Sequence, residues 1–199
     1  MLLFYSNTSP YARKVRLVIA EKQLAGRVEQ RICNPFEDIP ELRQANPLGR
    51  VPTLIADDGQ VIYDSPVICE YLDGLVDAPA LIPRSGPERW RVRRWEALAD
   101  GVLDAAYNIV MEQRRPTDRQ STQWVSHWAA EIHRAVQHAG ETLDELPADL
   151  TLAHLALASA LSYLDFRLSS AGWREGRPAL ARWYADFERR PSMRETRPD

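Results

Sequence analysis

The stretch Asn46-Pro47-Leu48-Gly49-Arg50-Val51-Pro52-Thr53-Leu54-Ile55 decides how this chain is read. Asn-Pro-Leu-Gly is a turn signal, because Asn bonds its own backbone, Pro presets φ and Gly accepts φ values closed to other residues. Val51 to Ile55 has a strand's composition, with its proline at the start, where a ladder tolerates it better than in a central position. Asp57-Asp58-Gly59-Gln60 is an Asp-Gly hairpin turn, and Val61-Ile62-Tyr63 is the returning arm. Ser65-Pro66 then opens a helix that runs to about Leu75.

Towards the N-terminus, Leu2 to Tyr5 is a short apolar run ended by Ser6-Asn7-Thr8, a buried strand and its turn. Pro10 opens a helix, since its missing N–H is unpaired at the first position anyway, and Thr8 or Ser9 supplies the capping oxygen. Ala12, Val15, Val18 and Ile19 share one face of that helix, and Gly26 punctuates its end. Val28 to Ile32, with Arg, Glu and Gln interleaved, predicts a half-exposed strand, and Glu41 to Ala45 a short helix. The order is strand, helix, strand, helix, strand, strand, helix.

Towards the C-terminus, Asp77-Ala78-Pro79 and Pro83 to Pro87 read as a linker, beyond which strand signals stop. Helices are predicted from about Glu88 to Glu112, Arg119 to Leu146, Leu152 to Leu168 and Pro178 to Arg190. Thr151 is an N-cap, with Leu150 and Leu155 as its hydrophobic staple. The expected division is an α/β domain over residues 1–78 and an all-helical domain over 84–199.

At 199 residues, with 45% hydrophobic and 27% charged, the chain has the usage of an ordinary globular protein rather than of a disordered or fibrous one. A net charge of -3 argues against general affinity for nucleic-acid phosphate. Cys33 and Cys69 are too few for a disulfide framework, no stretch reaches the roughly 20 apolar residues of a membrane span, and the N-terminus is too short in apolar residues for a signal peptide. A cytoplasmic protein that binds neither membrane nor nucleic acid is expected.

Ser9-Pro10-Tyr11-Ala12-Arg13-Lys14-Val15-Arg16, Asn46 to Pro52 and Asp64-Ser65-Pro66, in that order and spacing, resemble the soluble bacterial glutathione transferases. In the helical half, Ala156-Leu157-Ala158, Tyr163-Leu164-Asp165-Phe166-Arg167 and Arg190-Pro191-Ser192-Met193 extend the likeness over nearly the whole chain. The resemblance implies a thioredoxin-like domain with a mixed four-stranded sheet, an all-α bundle behind it, homodimerisation, a role in detoxification, and glutathione as co-substrate.

It also implies a cis Val51-Pro52 peptide that leaves the Val51 N–H and C=O free to pair with the glutathione backbone; a trans proline starting a strand is the plainer alternative. Ser65 would turn its hydroxyl and N–H to the γ-glutamyl carboxylate and Asp64 would meet the ammonium, or Ser65 is simply a helix cap. Arg50 either reaches a ligand carboxylate or is a solvated loop cation. For the sulfur, Ser9 stands where omega-type relatives carry cysteine, and Thr8 where theta- and delta-type relatives carry serine; either hydroxyl can also be only a cap for the helix. Tyr5 resembles the tyrosine-using classes but sits in an apolar, core-like context. Tyr11, Tyr107, Met111 and Arg115 are the expected acceptor pocket, the last three falling at i, i+4 and i+8 of one helix, a stripe that core packing alone would equally produce.

Serine instead of cysteine at position 9 argues for conjugation over thiol exchange, and Cys33 and Cys69 read as packing residues. Disulfide or peroxide reduction by glutathione, and a non-catalytic binding or dimerisation module, are the competing functions. Arg89-Trp90-Arg91-Val92-Arg93-Arg94-Trp95 interleaves basic and aromatic residues, yet Glu88, Glu96 and Asp100 lie at helical spacing, so a solvated or dimer-facing surface is expected. His127, His133, His138 and His154 lack a metal-binding spacing, and no metal is expected. Relatives carry Asp three residues after the capping Thr151; here His154 stands there, which puts that cap in question.

Overall fold

A computed structural model describes residues 1–198, so Asp199, the end of the expected helical domain, lies outside the described residues. Strands β1 (Leu2–Tyr5), β2 (Glu29–Ile32), β3 (Thr53–Ile55) and β4 (Val61–Ile62) form one mixed sheet in the order β2-β1-β3-β4. β1 runs parallel to β2, with Leu3 opposite Gln30, and antiparallel to β3, with Leu3 opposite Leu54. The parallel pair is joined through α1 (Pro10–Glu21), as such a pair requires a crossover. α2 (Pro40–Ala45) lies between β2 and β3, and α3 (Ser65–Gly74) follows β4. β3 begins at Thr53, because Pro52 has no N–H to give the ladder. β2 is an edge strand exposed along its whole length, more so than its alternating sequence suggests.

The rest is helical: α4 (Gly86–Gln113), α5 (Thr122–Glu141), α6 (Leu152–Arg167), α7 (Pro178–Phe187) and α8 (Pro191–Glu195). The helix predicted over 119–146 is shorter, flanked by 3-10 turns at Thr117–Arg119 and Leu143–Glu145, and Ser121 caps its start by accepting from the Trp124 N–H at 3.3 Å. α8 is separate from α7 because Pro191 cannot continue a helix. α6 is the centre of the helical half, buried at every position from Leu152 to Leu164. No helix among the described residues is long and apolar enough to cross a membrane.

α1 fastens the sheet to the helices by charge. The Lys14 ammonium, fully buried, lies 2.7 Å from the Asp100 carboxylate and 3.0 Å from that of Glu96, both on α4. Burial disfavours its charge, but the carboxylates outweigh this and hold its pKa above the ordinary lysine value. Arg93 bridges Glu96 at 2.7 Å and Glu70 of α3 at 3.0 Å, so that with Lys14 on Glu96 the cluster joins α1, α3 and α4. Each arginine of the basic-aromatic stretch is paired in this way, Arg89 with Glu70, Arg91 with Glu88 and Arg94 with Glu145, while Trp95 is buried. At the other end of α1, Lys22 donates to Asp73 and to the Val76 and Pro79 carbonyls. Glu21 accepts from Arg190 at 2.8 Å and from Ser192 at 2.5 Å.

His154 performs the capping expected of an aspartate. Its Nδ1 accepts from the Thr151 N–H at 3.1 Å and lies 3.0 Å from the Thr151 hydroxyl, and its other backbone bond is to Pro147, which has only a carbonyl to offer, so the ring is assigned neutral with the proton on Nε2. Burial pushes His154 below the usual histidine value; its two backbone bonds act the other way, and Arg190 adds to the lowering. Phe187 and Trp183 lie against the ring.

Lys14→Met leaves Glu96 and Asp100 buried with less compensation and should cost about 3–5 kcal/mol, read from the denaturation midpoint; an unshifted midpoint refutes the linkage. Because the folded pKa of His154 is lowered, its stabilisation is complete above about pH 6.5 and is lost as pH falls through the folded value. Urea unfolding at pH 7 and pH 5 should show the wild type losing about 1 kcal/mol more than His154→Asp, whose carboxylate keeps the cap to lower pH. Equal losses contradict this account.

Candidate active site

A cleft of about 1170 Å³ runs between the sheet and helices α4 and α6. Its first wall is made by the loops at the ends of the strands, its second by the faces of the two helices. Asn46, almost fully buried, builds the central turn of the first wall. Its carbonyl accepts from the Gly49 N–H at 2.8 Å and its side-chain oxygen from the Leu48 N–H at 3.0 Å, while its amide donates to Thr53 Oγ1 at 3.0 Å. Gly49 takes φ +60°, the left-handed region that favours glycine. The Val51-Pro52 peptide that follows is cis, and the Val51 N–H and C=O have no hydrogen-bond partner among the described residues.

Beside this edge, Asp64 occupies the N-cap of α3 without making a capping bond, after a Tyr63-Asp64 peptide that is also cis. Ser65 is therefore the first helical residue rather than the cap, and Pro66 the second. This leaves the Ser65 N–H among the amides that the helix itself cannot satisfy. Its hydroxyl has no partner among the described residues, although Ser65 is only 2% exposed. Arg50 is exposed at the same wall and forms no ion pair among the described residues.

Thr8 and Ser9 line the cleft from the β1–α1 loop. Ser9 caps α1, its Oγ accepting from the Ala12 N–H at 3.2 Å; a hydroxyl used as acceptor still has its proton to give. Thr8 Oγ1 lies 3.2 Å from Ser6 Oγ. Tyr5 does not line the cleft and is covered by the Arg16 guanidinium, 4.5 Å above its ring. Cys33 does line it, half-buried, with burial pushing its thiol up and its bond to Tyr5 acting the other way. Cys69 is wholly buried and shifted further up by the same cause.

On the second wall Tyr107 and Met111 line the cleft, and Tyr11 reaches it from α1, donating its hydroxyl to Asp104 of α4. Burial and this carboxylate raise the Tyr11 pKa strongly. Arg115 is a correction: it turns away and pairs with Glu112 at 3.1 Å, and Arg114 lines the cleft instead. α4 ends at Gln113 with Arg114 as its cap, so Arg115 lies beyond the helix and the i+8 spacing does not carry to it, whereas Arg114, seven residues on from Tyr107 with helical dihedrals, returns to within about 20° of that side chain. Sequence reasoning also misses Asp104, Tyr163 and Arg167 as cleft residues; the i, i+4 spacing of Tyr163 and Arg167 near the end of α6 was the available signal.

Residues 3–80 match the family model described as glutathione S-transferase, N-terminal domain, and residues 122–186 the corresponding C-terminal domain. A GST-like protein of Escherichia coli K12, YibF, is 37% identical over 201 residues, covering 100% of this chain and 98% of its own. A glutathione transferase family member from Pseudomonas fluorescens Pf-5, solved with bound glutathione, superposes with TM-score 0.95 at 40% identity, covering 100% of this chain and 98% of that one. A glutathione S-transferase from Methylobacillus flagellatus KT, with glutathione bound, gives TM-score 0.90 at 40% identity, over 100% and 99%.

Ser9→Ala removes the α1 cap whether or not a ligand is present. Scanning calorimetry of the unligated protein should find Tm lowered by about 2–4 °C, equivalent to about 1 kcal/mol, with no comparable fall for Thr8→Ala, since Thr8 caps no helix.

Proposed function

The chain belongs to the glutathione S-transferase family, and from that premise we propose that it binds reduced glutathione along the first wall of the cleft and activates its thiol for attack on a small electrophile at the second. The observation that carries this reading is the juxtaposition of the unpaired Val51 backbone with the uncapped start of α3. An extended tripeptide pairs its cysteinyl backbone with the former, and its γ-glutamyl carboxylate meets the N–H and hydroxyl of Ser65 at the positive end of the helix. Asp64 receives the ammonium and Arg50 a carboxylate.

A thiol of pKa near 8.5 is only a few per cent thiolate at neutral pH, and lowering that value by about two units stabilises the anion by roughly 2.7 kcal/mol. Ser9 is the proposed donor to sulfur, with Thr8 beside it, and the start of α1 adds its dipole. The thiol proton leaves to solvent and the sulfur lone pair forms the S–C bond. In substitution the leaving group departs with its bonding pair; in addition the π pair is taken up by a proton from water. Serine at position 9 cannot form the mixed disulfide that a cysteine there would, which supports conjugation over thiol exchange through that position.

Calorimetric titration with reduced glutathione at pH 7, in two buffers of different ionisation enthalpy, should show binding with proton release. Ser65→Ala should weaken that binding roughly tenfold or more, the cost of losing a hydrogen bond to a charged group. Binding without proton release rejects thiol activation, and unchanged affinity in Ser65→Ala rejects the proposed carboxylate pocket.

A further inference from the structure

We propose that Arg114 and Arg167 form a carboxylate-binding subsite on the second wall, so that the electrophile this protein accepts is an organic acid with a short apolar body. The inference rests on the glutathione reading above and narrows it to a substrate class. Arg114 closes the C-terminus of α4 and Arg167 is the last residue of α6, and both line the cleft. Neither has a carboxylate partner among the described residues, whereas Arg115 is held by Glu112 and Arg174 by Asp165. The acid on the same wall, Asp104, is engaged by the Tyr11 hydroxyl.

Each guanidinium lies near an aromatic ring: Arg167 is 4.1 Å from the centre of the Phe166 ring, and Arg114 is 5.5 Å from that of Phe36, a residue of the opposite wall. A cation–π contact pairs the charge with a ring and gives the N–H donors no acceptor, so they stay available to a carboxylate. The two groups share the cleft with the Tyr163 hydroxyl, Met111 and Val110. Arg167 stands one helical turn beyond Tyr163 on α6, and Arg114 three residues beyond Met111 at the end of α4. Burial raises the pKa of the Tyr163 hydroxyl, and the charges of Arg167 and Arg114 oppose that rise. A cation at a helix end is favourable without any ligand, but that effect does not require both arginines to turn into one concave site, where a shared field concentrates an anion.

The test uses S-(carboxyalkyl)glutathiones with one to four methylenes, each compared with its carboxamide of equal length, in calorimetric competition against glutathione. The members of each pair differ in charge and hardly in shape. For at least one chain length the acid should bind about tenfold or more tightly, as expected for charge-assisted hydrogen bonds, and the preference should shrink with added salt. Arg114→Gln combined with Arg167→Gln should bring the ratio to about one, while Arg182→Gln, exposed on α7, should keep it and so controls for net charge. A wild-type ratio near one at every length, with glutathione itself bound, overturns the subsite and leaves the glutathione reading intact. A preference that survives in the double variant also overturns it. Failure of glutathione itself to bind overturns the underlying reading first.

Discussion

The cleft exists because Lys14 is buried between Asp100 and Glu96. α1 contributes the crossover of the sheet, and that ammonium would be prohibitively costly to bury without the carboxylates of α4. The charge therefore sets where the helical half sits against the sheet. Arg93 and Glu70 extend the same cluster to α3, and Glu21 with Arg190 secures the far end of α1. Ion pairs of this kind are poor sources of net stability compared with apolar packing, but each fixes an orientation, because a misplaced partner leaves a buried charge. What they orient here is the start of α1, with Thr8 and Ser9, against the face of α4.

The same helix start has two demands on it. Ser9 must cap α1 and, in the proposed function, donate to sulfur. One hydroxyl can serve both, since the cap uses a lone pair and the sulfur uses the proton. Arg13, in the first turn of α1, shows what holds that loop still: its guanidinium is buried and donates to the Met193 carbonyl and to Thr196, so the C-terminal helix α8 supports the start of α1.

Features made by local chain chemistry were legible in the sequence. The Asn-Pro-Leu-Gly turn, the proline before β3, the Asp-Gly hairpin and the proline-led starts of α1 and α3 each act within a few residues, and each lies where the residues indicate. The misses have one cause, which is that side-chain direction depends on packing. Arg114 is the cap of α4 and Arg115 the residue beyond it, and Asp64 and Ser65 are both good caps, so spacing alone does not choose between them. α6 is apolar nearly all round, so nothing in its pattern separates the end that lines the cleft at Tyr163 and Arg167 from the part that is core. At Thr151 the chain departs from its relatives' pattern, yet a buried neutral imidazole supplies the acceptor that a carboxylate would.

That contrast also divides the two walls by their chemistry. The first wall presents main-chain groups: the Val51 edge and the amide at the start of α3, whose positions follow from turns and prolines. Backbone donors read the peptide and carboxylate of a ligand with little regard to side-chain changes nearby, so a wall of this kind suits one invariant co-substrate. The second wall presents side chains from two helix faces, and a single substitution there exchanges a cation for a neutral or acidic group without disturbing the helix beneath. In the proposed function, selectivity for the electrophile is set on α4 and α6, where Arg114 and Arg167 place positive charge on the second wall, while the chemistry at sulfur is set on α1.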